Sequence, residues 1–489
     1  MLFNSIDFII FFIFIIAGII IFKNRKFQHL FLLVGSYFFF YFSSNYLITL
    51  LIFSTILDFY VGREIWKTKD QTRKKILLSI SLAGNLGLLG FFKYADFAIL
   101  QFNFLGRYFD LNPQIPFLDL ALPIGISFYT FQTISYTVDI YRGKLSPSKS
   151  LREFALFVSF FPQLVAGPIV RASEFLPQLR EKISDFDSGT RLRQIVIKNS
   201  NLKIGITIIS IGLFKKMFFA DNIAPFVNDV FIDPVGRESF TIILGAIGFG
   251  IQIYGDFSGY SDIAIGAALI LGFNLPKNFN YPYFAISPTD FWRRWHISLS
   301  TWLRDYLYVP LGGNRKSRGH TYLNLFTVMF LGGLWHGASW NFVMWGVLHG
   351  GYIAIHKILS DKFPILTNNR FLSKKIVIII SIFITQYLVF LTWIPFRVRD
   401  VDNMLYSMQK YIFLDFQTSN TIEFISGHQF SFAIICLFII VHIISYKKQN
   451  VIEIISKMSL LKWFTFLTII FSLILFTSGD AADFIYFQF

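Results

Sequence analysis

Between Arg318 and Lys357 the sequence carries no Asp, Glu, Lys or Arg. A charge-free apolar run of this length can enter a bilayer. Near its middle stands His336, flanked by Gly332, Gly333 and Gly337. An ionisable side chain at membrane depth is costly, and its default reading is functional. The run follows a basic, tryptophan-rich stretch, Phe291-Trp292-Arg293-Arg294-Trp295-His296. Both His296 and His336 directly follow a tryptophan, Trp295 and Trp335.

The rest of the 489 residues supports a membrane setting. Hydrophobic residues make up 54% and charged residues 15%, against about 25% charged in soluble proteins. Sixty-two phenylalanines suit a lipid-facing surface better than a soluble core. Apolar runs at roughly 7–22, 27–42, 45–61, 76–92, 117–135, 203–219, 239–255, 258–273, 321–335, 338–356, 375–394, 429–445 and 461–477 read as membrane helices. The segment 153–170 is interrupted by Pro162, Gly167 and Pro168 and has basic residues on both sides. It is expected to dip into the membrane and return.

The net charge of +15 is concentrated in loops: after the first, third and fifth runs, across 171–203, and across 275–320. This pattern makes those loops cytoplasmic and the N-terminus extracytoplasmic, and it argues against nucleic acid as the partner of the basic residues. Cys436 is the single cysteine, which excludes a disulfide framework. The first run has neither a basic leader nor a small-residue cleavage site, so it reads as a retained helix. No internal repeat or soluble domain is visible. Residues 1–489 read as one membrane-embedded domain, with 291–349 as its core segment.

Wound as one helix, 291–306 places Trp292, Trp295, Leu299, Trp302, Leu303 and Tyr306 on one face and Arg293, Arg294 and Arg304 away from it. That is an interfacial amphipathic helix. His296 falls at the edge of the apolar face, where a structural and a functional role are both open. For His336 the alternatives are helix packing and general-base work, since a buried imidazole that stays neutral can accept a proton near neutral pH. His349 and His356 lie on one helical face and suit packing or helix-end roles. No HExxH or Gly-x-Ser-x-Gly pattern occurs and no carboxylate adjoins His336, so neither a metal site nor a serine triad is expected.

Three further stretches carry polar groups within apolar sequence. Tyr254 to Asp262 contains Asp256 and Ser258. They read either as a turn between two helices, broken by Gly255 and Gly259, or as a polar cavity lining. In Pro123 to Gln132 the proline and glycine predict a kink. Pro162 to Arg171 places Gln163 near the tip of the dipping segment. Broken membrane segments also occur in transporters, so passage of an acyl group or lipid-linked sugar without chemistry is a second function class.

Taken together, Pro123 to Gln132, Phe161 to Arg171, Asp256 to Asp262, Phe291 to Asp305 with Tyr308 to Arg315, Gly332 to Asn341 and the closing Phe484 to Phe489 resemble the membrane-bound O-acyltransferase (MBOAT) family. The likeness is to the bacterial branch with the membrane subunit of alginate O-acetylation and the D-alanyl transfer protein of teichoic acid modification. The resemblance implies an all-α ring of about 11–13 transmembrane helices, with re-entrant and interfacial helices around a central tunnel, in a bacterial cytoplasmic membrane. It implies that His336 and His296 are catalytic. Trp335 and Trp292 would shape the substrate path. Arg293 and Arg294 would hold donor phosphates or anchor the interface, and Asp256, Ser258 and Gln163 would line the substrate site.

The implied reaction moves an acyl group, expected to be acetyl, from a cytosolic thioester such as acetyl-CoA or an acyl carrier. The acceptor is a hydroxyl of an extracytoplasmic polysaccharide, reached directly or through an SGNH-type acetyltransferase partner. No bound cofactor or metal is implied. D-alanyl transfer to teichoic acid is the alternative within the branch.

Overall fold

The computed structural model describes residues 1–489 apart from 112–113, 165–166, 181–191, 364, 366–371, 373, 478–483 and 486–489. Val165 and Ala166 of the dipping segment, Lys182 and Arg191 of the basic loop after it, and the last four residues of the closing motif therefore lie outside the described residues. The described residues form helices and turns, with no strand among them. Seven helical stretches have the length and apolarity to cross a membrane: Arg25–Lys67, Gln71–Tyr108, Ser239–Ile270, Trp340–Lys362, Lys375–Arg397, Gln429–Lys447 and Leu460–Thr477. The shorter Ile6–Ile21 is equally apolar in character. Their exposed faces are studded with large apolar side chains, such as Ile379, Ile380 and Phe383, as lipid contact requires.

Two compact units are present: Met1–Ile206 with Ala264–Pro276, and Thr207–Ile263 with Lys277–Phe489. In the first, α1 (Ile6–Ile21), α2 (Arg25–Ser44), α3 (Ile48–Lys67), α4 (Gln71–Tyr108) and α5 (Ile126–Tyr141) precede three short helices. These are α6 (Leu151–Ser159), α7 (Phe161–Leu164) and α8 (Ala172–Leu179). Asn45, at φ +49, separates α2 from α3. The expected dip at 153–170 is built of α6 and α7, both far too short to cross a bilayer. Phe161 anchors it, 5.1 Å from the Phe11 ring and 5.7 Å from Phe39.

The helices of this unit are tied by a buried polar cluster. Asp58 of α3 accepts hydrogen bonds from Ser81 and Asn85 of α4 and from Thr137 of α5. Thr133 completes it by donating to the Asn85 carbonyl, 3.1 Å away. Such bonds matter in a membrane because lipid-like surroundings give helices little hydrophobic reason to associate.

Two sequence expectations change here. The run 117–135 does not kink at Pro123 and Gly125. It starts a helix there, with Gly125 at φ +77 preceding α5. The run 76–92 extends into the 38-residue α4, capped by Asp70, whose carboxylate accepts from the Thr72 amide at 2.9 Å.

The second unit takes in the C-terminal end of α9 (Asn199–Leu213), a π-helical turn at Phe214–Ala220, and α10 (Asp221–Ile232). The first 25 residues of α11 (Ser239–Ile270) follow. This helix corrects the expected pair 239–255 and 258–273, because it runs unbroken through Gly255 and Gly259. Those glycines serve contact instead. A Cβ at Gly255 would stand 2.9 Å from the Lys215 carbonyl, and one at Gly259 2.7 Å from that of Gly212. The chain continues through α12 (Pro288–Arg294), α13 (Ile297–Leu303), α14 (Arg318–His336) and α15 (Trp340–Lys362). Then come α16 (Lys375–Arg397), α17 (Val401–Ile412), α18 (Ser419–Gly427), α19 (Gln429–Lys447), α20 (Val451–Ser456) and α21 (Leu460–Thr477).

Candidate active site

The site is built in the second unit from α12, α13 and the α14–α15 hairpin. The helix expected over 291–306 is broken at His296. Ser287 caps α12 by accepting from the Asp290 amide at 3.1 Å, and Pro288 occupies the first turn. The chain then leaves helical geometry at Trp295, and His296 adopts a left-handed conformation at φ +42 and ψ +55 before α13 begins. A non-glycine residue there is strained and needs support from its surroundings.

Asn278 supplies that support. Its side-chain oxygen accepts from the Ser298 amide at 3.3 Å and the Ser298 hydroxyl at 2.8 Å, and stands 3.2 Å from His296 Nδ1. Its amide group donates to Ser261 of α11 at 3.2 Å. Because the Asn278 oxygen can only accept, His296 carries its proton on Nδ1, and Nε2 presents a lone pair. Burial holds this imidazole far below the usual histidine value, at about 3, so it is neutral at physiological pH. The apolar-face placement expected for His296 is thus realised as complete burial, in a break between helices.

His336 ends α14 and is also buried. Its ring lies 4.9 Å from Trp335, 4.8 Å from Trp345 and 5.2 Å from Phe396, measured between centroids. Trp335 in turn lies 6.4 Å from the His296 ring, so one tryptophan touches both histidines. Phe257 of α11 covers His296 edge-on at 4.7 Å. The hairpin itself is closed by glycines. A Cβ at Gly346 would stand 2.9 Å from the Met329 carbonyl and one at Gly350 3.0 Å from that of Phe326, so α14 and α15 meet backbone to backbone. His336 sits at the closed end. Arg318 and Lys357 mark the open end, where Asp361 accepts from Tyr322 at 3.0 Å and pairs with Lys357 at 2.7 Å.

The remaining sequence candidates divide. Trp292 is buried against the hairpin, its indole N–H donating to His349 Nδ1 at 3.3 Å. Arg294 is tied to Asp290 at 2.9 Å, while Arg293 is exposed. Asp256 is buried in an ion pair with Lys216 at 2.8 Å and accepts from the Ile485 amide at 2.7 Å. Lys216 also holds Asp221, at 2.8 Å. Ser258 is buried on the same helix as Asp256. Phe257, between them, is the residue of that stretch that touches His296. Gln163 belongs to the first unit, where its side-chain amide donates to the Phe157 carbonyl.

Sequence reasoning missed Asn278, which lies outside every motif that stood out. It also counted Lys215 and Lys216 as part of an apolar run, although two adjacent lysines inside such a run are a signal in themselves. His349, expected to pack or to serve a helix end, is the hydrogen-bond partner of Trp292. Among the described residues no cluster of three metal-binding side chains occurs.

Comparison with known proteins gives this geometry a context. The family model described as MBOAT, membrane-bound O-acyltransferase family, matches residues 53–394. The chain is 37% identical over 410 residues to the peptidoglycan O-acetyltransferase of Helicobacter pylori, covering 78% of this chain and 73% of that protein. It is 39% identical over 362 residues to a probable alginate O-acetylase AlgI of Azotobacter vinelandii, covering 73% and 69%. The teichoic acid D-alanyltransferase of Bacillus subtilis is 28% identical over 280 residues, covering 53% and 66%.

Proposed function

Because the chain belongs to the membrane-bound O-acyltransferase family, and is thereby a multi-pass membrane acyltransferase, we propose that it transfers an acetyl group from a thioester to a hydroxyl of a cell-envelope polysaccharide, with His336 as the general base. The observation that carries the reading is the enclosure of His336 by Trp335, Trp345 and Phe396 beside a second buried histidine. Acetyl rather than D-alanyl is favoured because the relatives named for O-acetylation are 37–39% identical and the D-alanyl relative 28%.

In the proposed reaction His336 takes the proton of the acceptor hydroxyl as its oxygen bonds to the thioester carbonyl carbon. The C–S bond then breaks, and sulfur leaves with the proton that His336 had removed. The part of His296 follows from its tautomer. With Nδ1–H given to Asn278, its Nε2 can only accept a hydrogen bond, which suits a hydroxyl and not a carbonyl oxygen. We assign it a neighbouring hydroxyl of the acceptor, since the attacking hydroxyl gives its one proton to His336. Trp335 and Trp292 wall the path, and the exposed Arg293 draws the anionic donor, acetyl-CoA or an acyl carrier, to the basic face.

We place the protein in a bacterial cytoplasmic membrane with its N-terminus outside, on the distribution of basic loops. The acetyl group reaches the polymer directly or through an SGNH-type partner on the far side. The test uses purified full-length protein, a labelled acetyl thioester and a carbohydrate acceptor, without any gradient. His336→Ala should lower turnover roughly 10²- to 10⁴-fold in protein that still inserts and unfolds at the wild-type temperature. Turnover equal to wild type would sink the assignment.

A further inference from the structure

The hairpin holds two buried hydrogen-bond donors that the mechanism above does not use. One is the indole N–H of Trp345, 1% exposed, whose nitrogen has no hydrogen-bond partner among the described residues. The other is on His349, one turn further along α15 and also 1% exposed. Trp292 can only donate, so its bond to His349 Nδ1 fixes the imidazole proton on Nε2. That Nε2–H is likewise without a partner among the described residues. The two rings are neighbours, 4.5 Å between centroids, and Trp345 is 4.8 Å from His336. Phe291, stacked at 6.1 Å, and the edge of Trp292 at 5.1 Å close His349 in. Buried N–H groups are almost always paired, and an orphan pair beside a proposed base calls for an acceptor that arrives from outside.

We infer that Trp345 Nε1–H and His349 Nε2–H receive the carbonyl oxygen of the acyl thioester. The inference rests on the acyl-transfer reading and deepens it, by dividing the site into an accepting side and a donating side. His296 accepts from a neighbouring hydroxyl of the acceptor, while Trp345 and His349 donate to the carbonyl. When the hydroxyl oxygen bonds to the carbonyl carbon, the C=O π pair moves onto oxygen, where both N–H groups meet it. It returns to re-form the carbonyl as the C–S bond breaks and sulfur departs as the thiol. The placement also fits the direction of supply. His349 lies on α15 between the charged open end at Lys357 and His336 at the closed end, so a donor arm entering from the basic side passes it.

The test compares the binding of two pantetheine probes to purified full-length protein. The first is carba(dethia) acetyl-pantetheine, a ketone in which CH₂ replaces sulfur. The second is its alkane counterpart, with CH₂ in place of the carbonyl as well. Wild type should bind the ketone tighter by about tenfold, and His349→Phe and Trp345→Phe should each reduce that ratio several-fold. The ratio compares two ligands on the same folded molecules, so it is unaffected by a variant's loss of stability. In turnover, His349→Phe should lower kcat about 10²-fold, the scale for one oxyanion donor. A wild-type ratio of one, or a ratio unchanged in both variants, overturns the carbonyl site and leaves acyl transfer standing. Failure of wild type to bind either probe overturns the thioester reading and this inference with it.

Discussion

The polar cluster at Asp58 and the ring cluster of the α14–α15 hairpin are both buried among apolar helices, yet they are built in opposite ways. Around Asp58 both carboxylate oxygens are occupied, by Ser81, Asn85 and Thr137, and the Asn85 carbonyl by Thr133. In the hairpin, Trp345 Nε1 and His349 Nε2 have no partner among the described residues. A saturated cluster fixes helices against one another and has nothing left to offer a substrate. An open one is costly to bury and is worth keeping where a ligand completes it. Substitutions in the first should therefore harm folding, and in the second the reaction.

The largest effect expected under this contrast is the loss of turnover in His336→Ala with its unfolding temperature intact. Asp58→Ala should do the reverse. It strands donors from α4 and α5 and should lower stability by about 3 kcal/mol, while the folded fraction keeps its kcat; thermal unfolding in detergent beside active-site titration would separate the two. A smaller loss, roughly 10- to 100-fold in kcat, is expected for Asn278→Ala, which frees His296 from its left-handed support. Asn278→Asp keeps an accepting oxygen and should restore most of the activity. Failure of that rescue would remove the positioning role.

The smallest effect is in pH. The folded imidazole of His296 titrates near 3, below the ordinary 6.5. Between those values the unfolded chain binds a proton that the folded protein refuses, so stability contributed by the neutral ring is present above pH 6.5 and is lost as pH falls toward 3. The slope is at most about 1.4 kcal/mol per pH unit. The slope should be missing from His296→Asn, so the difference between the two proteins isolates it.

Much of the fold was legible because lipid imposes a coarse rule. The runs 375–394, 429–445 and 461–477 correspond to α16, α19 and α21 within a few residues, since length and apolarity alone define such helices. The burial of His336 was legible for the same reason. What escaped the sequence depends on partners distant along the chain. Gly255 and Gly259 look like helix breakers until the π-helical turn at Phe214–Ala220 is seen against them. The break at His296 is held by Asn278, which no helical period connects to it. The donors of Trp345 and His349 are defined by what they do not touch, which no pattern of residue types can show.

The glycine seam between α14 and α15 has one more consequence. With Gly346 and Gly350 set directly on the opposing backbone, the hairpin behaves as a single casting. His336 at its tip and the Trp345–His349 pair are carried on that one frame. Groups carried this way do not have to be assembled when a substrate arrives. Any gating falls to the paths by which they come and go, and a Gly346→Ala change should disturb the chemistry before it disturbs access.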